Sequence, residues 1–198
     1  MFTTESPLRV LVSGCLAGRP CGVDGTSNGD YPLARWLLEL PNVRTVPFCP
    51  EEDAFGTPRA TPDIHGGDGF AVLDGRARVV SDAGDDWTEP MLRSAVKMKA
   101  FADQHSVHLA LLMDISAACG STMIYDGPRR LKVYRRGPGV AAAFLIRAGI
   151  PIVSQRDERT LALVFTKLGS AADGPFTDRV DHHERRWCRE YFRVSESG

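Results

Sequence analysis

The sequence has no run of eighteen apolar residues free of charge, so no membrane-spanning helix is expected and a membrane partner is set aside. Its first residues, Met1-Phe2-Thr3-Thr4-Glu5-Ser6-Pro7, lack the basic segment and apolar core of a secretory signal, and the reducing cytoplasm is the expected location. Charge of either sign is not in excess either. The formal net charge is −1, so no global positive field points to duplex nucleic acid, while a local pocket for a small charged ligand stays open. Internal repeats and low-complexity tracts are absent. Cysteine is sparse and odd in number: five thiols cannot pair completely within one chain, and in the cytoplasm they stay reduced.

What is present is an ordinary globular composition, 43% hydrophobic and 25% charged, in 198 residues, enough for one α/β domain with a modest appendage. Leu8 to Ser13 (L-R-V-L-V-S) is a short apolar, β-branched run ended by Gly14, which predicts a buried strand entering a turn. Arg44 to Phe48, Val107 to Met113 and Ile150 to Ser154 predict three more strands, Pro47 marking the end of the second. Helical patterns alternate with them. Leu33, Trp36, Leu37 and Leu40 predict a helix over Tyr31 to Leu40 with Trp36 in the core, and Thr88 is read as the N-cap of a helix running to about Phe101. Val140 to Ala148 is Ala-rich and stopped by Gly149. Such alternation predicts a three-layer, mainly parallel, Rossmann-like α/β fold with helices on both faces.

Between the second strand and the long helix, Phe70 to Leu73 and Arg76 to Val80 flank Asp74-Gly75, which predicts a small β-hairpin insertion. Residues 1–155 are read as the α/β domain and 156–198 as a C-terminal extension packed on it. Within that extension Gly169 to Pro175 is read as a loop, His182-His183 as solvated surface and Cys188 as incidental.

Cys15 follows the first strand, Cys49 the second, and Cys119 lies just beyond the third. The gaps between them match no local metal-binding spacing. Their topology says more, because ligands of open parallel sheets bind outside the carboxyl ends of the strands. Gly14 and Gly120 beside two of the cysteines let the backbone approach a bulky centre. Thiolates select zinc, copper(I) or iron–sulfur clusters. On these grounds zinc, with Cys21 or a histidine as fourth ligand, and an iron–sulfur cluster both stay open.

Leu11-Val12-Ser13-Gly14-Cys15-Leu16-Ala17-Gly18-Arg19-Pro20-Cys21-Gly22-Val23-Asp24-Gly25, Cys49-Pro50-Glu51, Thr57-Pro58-Arg59, Gly66-Gly67-Asp68-Gly69 and Ser116-Ala117-Ala118-Cys119-Gly120 occur in that order. Together they resemble the small bacterial and archaeal thiouracil desulfidases, the TudS-like family, over Val10 to Ser154. The resemblance implies a 4Fe-4S cluster bound by Cys15, Cys49 and Cys119, with one iron left open for a thiocarbonyl sulfur. It implies Glu51 as the proton-handling group, Ser116 as its helper, and a thiolated pyrimidine base or nucleotide as substrate, desulfurated by water without net electron transfer. This chain departs from the family pattern in three places. Gly22-Val23 stands where Arg-Tyr is usual, Ala117-Ala118 replaces Pro-Ser before the last cysteine, and the chain beyond Ser154 is not shared.

Arg59 is read as holding a nucleotide phosphate or as a buried ion-pair partner, and Asp24 and Asn28 as residues of the same mouth. Cys21 is read as a structural thiol. Two other functions compete: a non-enzymatic metal- or cluster-stabilised module that binds a nucleotide or partner, and a metal-free hydrolase using Cys49 or Cys119 with His65 or His108 as base.

Overall fold

A computed structural model of the chain describes residues 2–28, 30–169 and 179–195. Its centre is a four-stranded, all-parallel sheet in the order β2-β1-β5-β8, formed by β1 (Leu8–Ser13), β2 (Val43–Phe48), β5 (Leu109–Leu112) and β8 (Ile152–Ser154). Alternation along β1 feeds two cores. Val10 and Val12 face one side with Leu33 and Leu37 of α1 (Pro32–Glu39) and Leu161 and Phe165 of α6 (Glu158–Lys167). Leu11 faces the other side with Met91, Ala95 and Met98 of α4 (Thr88–Gln104) and the alanines of α5 (Val140–Arg147). The expected helix–sheet–helix sandwich is the observed one.

The chain leaves β1 toward β2 on one side and later fills β5 and β8 on the other. The strand order therefore reverses between β1 and β5, the kind of point at which open α/β sheets form a crevice.

Two small antiparallel sheets sit beside this core. One pairs β3 (Pro62–His65) with β4 (Arg78–Ser81), the other β6 (Met123–Tyr125) with β7 (Tyr134–Arg136). The small antiparallel insertion expected between the second strand and the long helix is present as β3–β4, with β4 in the expected second-strand segment, but Asp74-Gly75 is not its turn: Gly69–Leu73 is a helical turn, α3. Asp68 Oδ1 accepts the Ala71 N–H, and Gly75, at φ 70°, ends the turn as Gly75 N–H reaches Val72 O and Arg76 N–H reaches Ala71 O. That pair of bonds is a Schellman cap, so Asp-Gly acts here as a helix stop instead of a strand turn.

Two further readings are corrected. Trp36 is 48% exposed, because Leu33, Ala34 and Leu37 already occupy the buried stripe of α1. Thr88 is the first helical residue and Trp87 the N-cap, the Thr88 hydroxyl accepting the Val79 N–H of β4. Beyond the sheet, α6 packs on α1, and a 3-10 turn at His182–Glu184 leads into α7 (Arg186–Ser195). Cys188 and Phe192 of α7 are buried with Met123, so Cys188 is a core residue. The Gly169–Pro175 loop falls outside the described residues from position 170 on. Among the described residues no helix is long and apolar enough to cross a membrane.

Candidate functional site

At the carboxyl ends of β1, β2 and β5 lies a cavity of about 310 Å³, at the small end of the range for ligand sites. Cys15, Cys49 and Cys119 all line it, together with Cys21. Each is carried there by a different local device. The turn after β1 is held by Gly14, whose N–H donates to Phe48 O of β2. A Cβ on Gly14 would come within 3.1 Å of Cys21 Sγ and 3.3 Å of Cys49 Cβ, so glycine is what lets these residues close on one another. Cys49 is the N-cap of α2 (Pro50–Phe55), its sulfur accepting the Glu52 N–H at 3.4 Å.

Cys119 sits in the turn after β5, and that turn is seated on the start of α5. Carbonyls of Ala117, Ala118 and Gly120 accept the N–H groups of Val140, Ala141 and Gly139 at 2.8, 3.0 and 2.8 Å. They thereby satisfy donors that the first turn of a helix otherwise leaves unpaired. The glycine-rich motif 66–69 serves the same seat. Gly69 N–H donates to Pro138 O at 2.7 Å, pinning α3 beside the entry to α5.

Glu51 joins two of these elements. Its Oε1 accepts the Ser116 hydroxyl at 2.8 Å, and its Oε2 accepts from Arg59 Nη2 at 2.8 Å, with the Arg59 side chain only 3% exposed. Ser116 Oγ in turn accepts the Cys119 N–H at 3.0 Å. A chain of polar contacts therefore runs from Arg59 through Glu51 and Ser116 to the backbone of Cys119. Arg59 Nη groups also donate to Gly56 O at 3.0 Å and Cys21 O at 3.1 Å, which fixes the guanidinium against the loop after β1. Of the two roles left open for Arg59, the structure displays the ion pair.

The thiols are in surroundings that disfavour their charged form. Burial pushes Cys49 up from the ordinary 9.0 to about 12, with the Glu52 N–H opposing and the Glu51 charge adding. Burial likewise raises Cys119, the neighbouring Cys49 adding and the Ser13 hydroxyl opposing. Cys21 is raised foremost by a hydrogen bond to Cys15, then by its own burial. Thiols held this way become ligands only when a positive centre compensates the lost protons. Among the described residues no group of three His, Cys, Asp or Glu side chains is arranged to hold a single metal ion; the thiols line a cavity instead of closing on a point.

The mouth carries Asn28, Tyr31, Tyr125, Arg129 and Arg156. Arg156 lies over the Tyr31 ring at 5.9 Å, whereas Arg129 is committed to Asp63 at 3.0 Å. Asp24 is not at this mouth. It is exposed, and its carboxylate accepts both Thr26 N–H and Thr26 hydroxyl in a local turn, so the Asp24 reading is corrected to a structural one. His65 and His108 do not line the cavity; His108 Nδ1 accepts the Arg9 N–H at the opposite end of the sheet. A cysteine–histidine hydrolase therefore has no histidine base in this cavity.

Sequence reasoning missed Asp114 and His182. Asp114 lines the cavity just past the end of β5, a position that the crevice rule alone could have flagged. His182 is fully buried, not solvated, with Nδ1 2.6 Å from Asp114 Oδ2. Its neighbour His183 is exposed, as expected. No sequence signal separates the two.

Three comparisons bear on this arrangement. The sequence profile of the 2-thiouracil desulfurase family matches residues 10–157. The uncharacterised protein YbbK of Bacillus subtilis (strain 168) is 35% identical over 149 residues, covering 75% of this chain and 96% of its own. A solved structure described as the 4Fe-4S-dependent thiouracil desulfidase TudS superposes with a TM-score of 0.64 at 31% identity, over 80% of this chain and 98% of that one. The matched segment holds β1 from Val10 on, all of β2, β5 and β8, all four cavity cysteines, Glu51, Arg59 and Ser116; the chain belongs to the 2-thiouracil desulfurase family.

Proposed function

We propose that this chain is a 4Fe-4S-dependent desulfidase in which Cys15, Cys49 and Cys119 hold the cluster and Glu51, with Ser116, moves protons as sulfur is removed from thiouracil or its nucleotide. The observation that carries this reading is the meeting of thiols from three strand ends with an ion-paired Glu51 in one cavity. The donor set fits the group. It is made of soft thiols and has no imidazole among the lining residues, while the lining carboxylates are already engaged, Glu51 by Arg59 and Ser116 and Asp114 by Thr122 and His182. When bound by three thiolates, such a cluster supplies an iron without a protein ligand, a soft Lewis acid suited to thiocarbonyl sulfur.

The remaining chemistry belongs to the chain. Overall, a water oxygen replaces sulfur at the pyrimidine carbon, sulfur leaves as hydrogen sulfide, and no electron is transferred. Glu51 takes a proton from the attacking water and returns one to the departing sulfur. The Ser116 hydroxyl, donating to Oε1, and Arg59, donating to Oε2, hold the carboxylate in one orientation for both transfers. At the mouth Tyr31 offers a ring face to a base. Arg156 has no carboxylate partner among the described residues and offers its charge to a nucleotide phosphate, a role that the committed Arg59 cannot fill.

Anaerobic purification should yield brown protein with about four iron and four acid-labile sulfide per chain. It should release sulfide from 2-thiouracil, and Glu51→Gln should keep the cluster and lose turnover. A colourless, zinc-loaded protein, or a Glu51→Gln variant that turns over at the parental rate, would overturn the reading.

A further inference from the structure

The loop after β5 closes on a single carboxylate. Asp114 Oδ1 accepts the N–H groups of Ile115, Ser121 and Thr122 at 3.0, 2.9 and 3.1 Å, and Oδ2 accepts the Thr122 hydroxyl. Between these anchors the loop presents Ser116 and Cys119. A carboxylate buried to 3% exposure needs a donor on its remaining face, and His182 Nδ1 supplies it at 2.6 Å. His182 is itself fixed from behind. Its backbone N–H donates to Asp157 Oδ1 at 3.0 Å, and the other Asp157 oxygen accepts the Ser154 N–H at the end of β8.

The neighbouring Asp181 adds a second tie, accepting the Thr160 N–H and hydroxyl at the start of α6 at 2.9 and 2.7 Å. Further along, the Tyr191 hydroxyl accepts the Tyr134 N–H of β7. His182, Asp181 and Tyr191 all lie beyond residue 157, where the family match ends.

We propose that His182 is a positioning residue of the site: a donor supplied by the C-terminal extension that, through Asp114, sets the loop carrying Ser116 and Cys119 against Glu51. The geometry assigns it no contact with substrate. It acts by orienting Asp114, and Asp114 fixes where the Cys119 N–H and the Ser116 hydroxyl point. This rests on the desulfidase reading only for its kinetic consequence; the loop-ordering claim stands on the contacts alone.

The test compares the unmodified holoprotein with His182→Leu, which keeps bulk and removes the donor, and His182→Asn, which restores a donor near the Nδ1 position. Hydrogen exchange followed by mass spectrometry should show amides of residues 115–123 exchanging at least about tenfold faster in His182→Leu, with protection elsewhere unchanged and largely recovered in His182→Asn. Turnover of 2-thiouracil should fall roughly 10–100-fold in kcat with KM near the parental value, as for other partners that orient a ligand without binding substrate. In the unmodified protein the His182 Nδ1 proton should give a slowly exchanging downfield imidazole resonance, a measurement that does not depend on any variant folding. Parental exchange in the loop of a folded His182→Leu, acceleration spread evenly over the molecule, or absence of that resonance would each overturn the proposal. Absence of sulfide release from the unmodified protein would instead overturn the desulfidase reading and leave the exchange result to decide the role of His182.

Discussion

Replacing Arg59 by methionine separates what the Arg59–Glu51 pair does for stability from what Glu51 does for chemistry. Both side chains are buried, at 3% and 12% exposure, and their nearest atoms are 2.8 Å apart. Arg59→Met strands a carboxylate in the cavity wall and strips donors from Gly56 O and Cys21 O. Removing one member of such a pair costs about 3–5 kcal/mol, because the survivor is left charged and unpaired. For a chain of this size each kcal/mol moves Tm by about 2–4 °C, so the midpoint should drop by roughly 6–20 °C. The double variant Glu51→Gln/Arg59→Met no longer buries a lone charge and should recover about 2 kcal/mol or more of the loss. Its sulfide release should nevertheless stay at least about 100-fold below the parent, since the proton-handling group is gone. Circular dichroism melts of anaerobically prepared protein, run beside a methylene-blue sulfide assay, read both quantities. A midpoint for Arg59→Met within about 2 °C of the parent would refute the reasoning. So would a double variant that melts below the single one.

Gly14→Ala places a methyl 3.1 Å from Cys21 Sγ and 3.3 Å from Cys49 Cβ, so iron per chain should fall clearly while the melt shifts by only about 1–3 kcal/mol, read by iron analysis and thermal denaturation. In the metal-free chain, a Cys49 thiol raised from 9.0 to about 12 holds roughly a thousandth of the ordinary thiolate at neutral pH. Its alkylation by iodoacetamide, followed by peptide mass spectrometry, should be clearly slower than that of an exposed thiol, though by less than the thiolate fraction alone gives, because a thiolate of higher pKa is the stronger nucleophile. Burial by itself would raise Asp114, but hydrogen bonds from His182 and Thr122 outweigh it and hold the carboxyl down at about 2 against an ordinary 3.8. Depressed in the folded state, this group contributes stability that is present above about pH 4 and lost as pH falls toward 2. The stability gap between the parent and Asp114→Asn, measured by denaturant titration, should therefore shrink across that window.

The strands of the parallel sheet were legible because each is a short apolar run bounded by turn residues, and buried strands of that kind need no alternation to be recognised. That Cys15, Cys49 and Cys119 should meet was read from their places at strand ends, the resemblance implied the same three as a ligand set, and all three line one cavity. What misled were segments whose meaning depends on distant partners. Phe70 to Leu73 is as apolar as a strand, and only Asp68 before it and Gly75 after it make it a helical turn. Leu161, Phe165 and Leu168 have helical spacing within the charged extension, but what they cover is α1, far away in sequence. His182 and His183 are chemically identical neighbours, and burial of one beside Asp114 is decided by the tertiary fold. Arg59 was the reverse case: its residue type admitted two roles, and the 2.8 Å approach to Glu51 selects one.

The contact between Asp114 and His182 spans 68 positions of chain. A ribosome adding about 5–20 residues per second needs roughly 3–14 s to travel from the first to the second. The last strand of the sheet, β8, is made within that interval, while the turn bearing Cys119 still lacks its partner from the C-terminal extension. The loop that carries Ser116 and Cys119 therefore gains its His182 contact only after the whole of the parallel sheet has been synthesised.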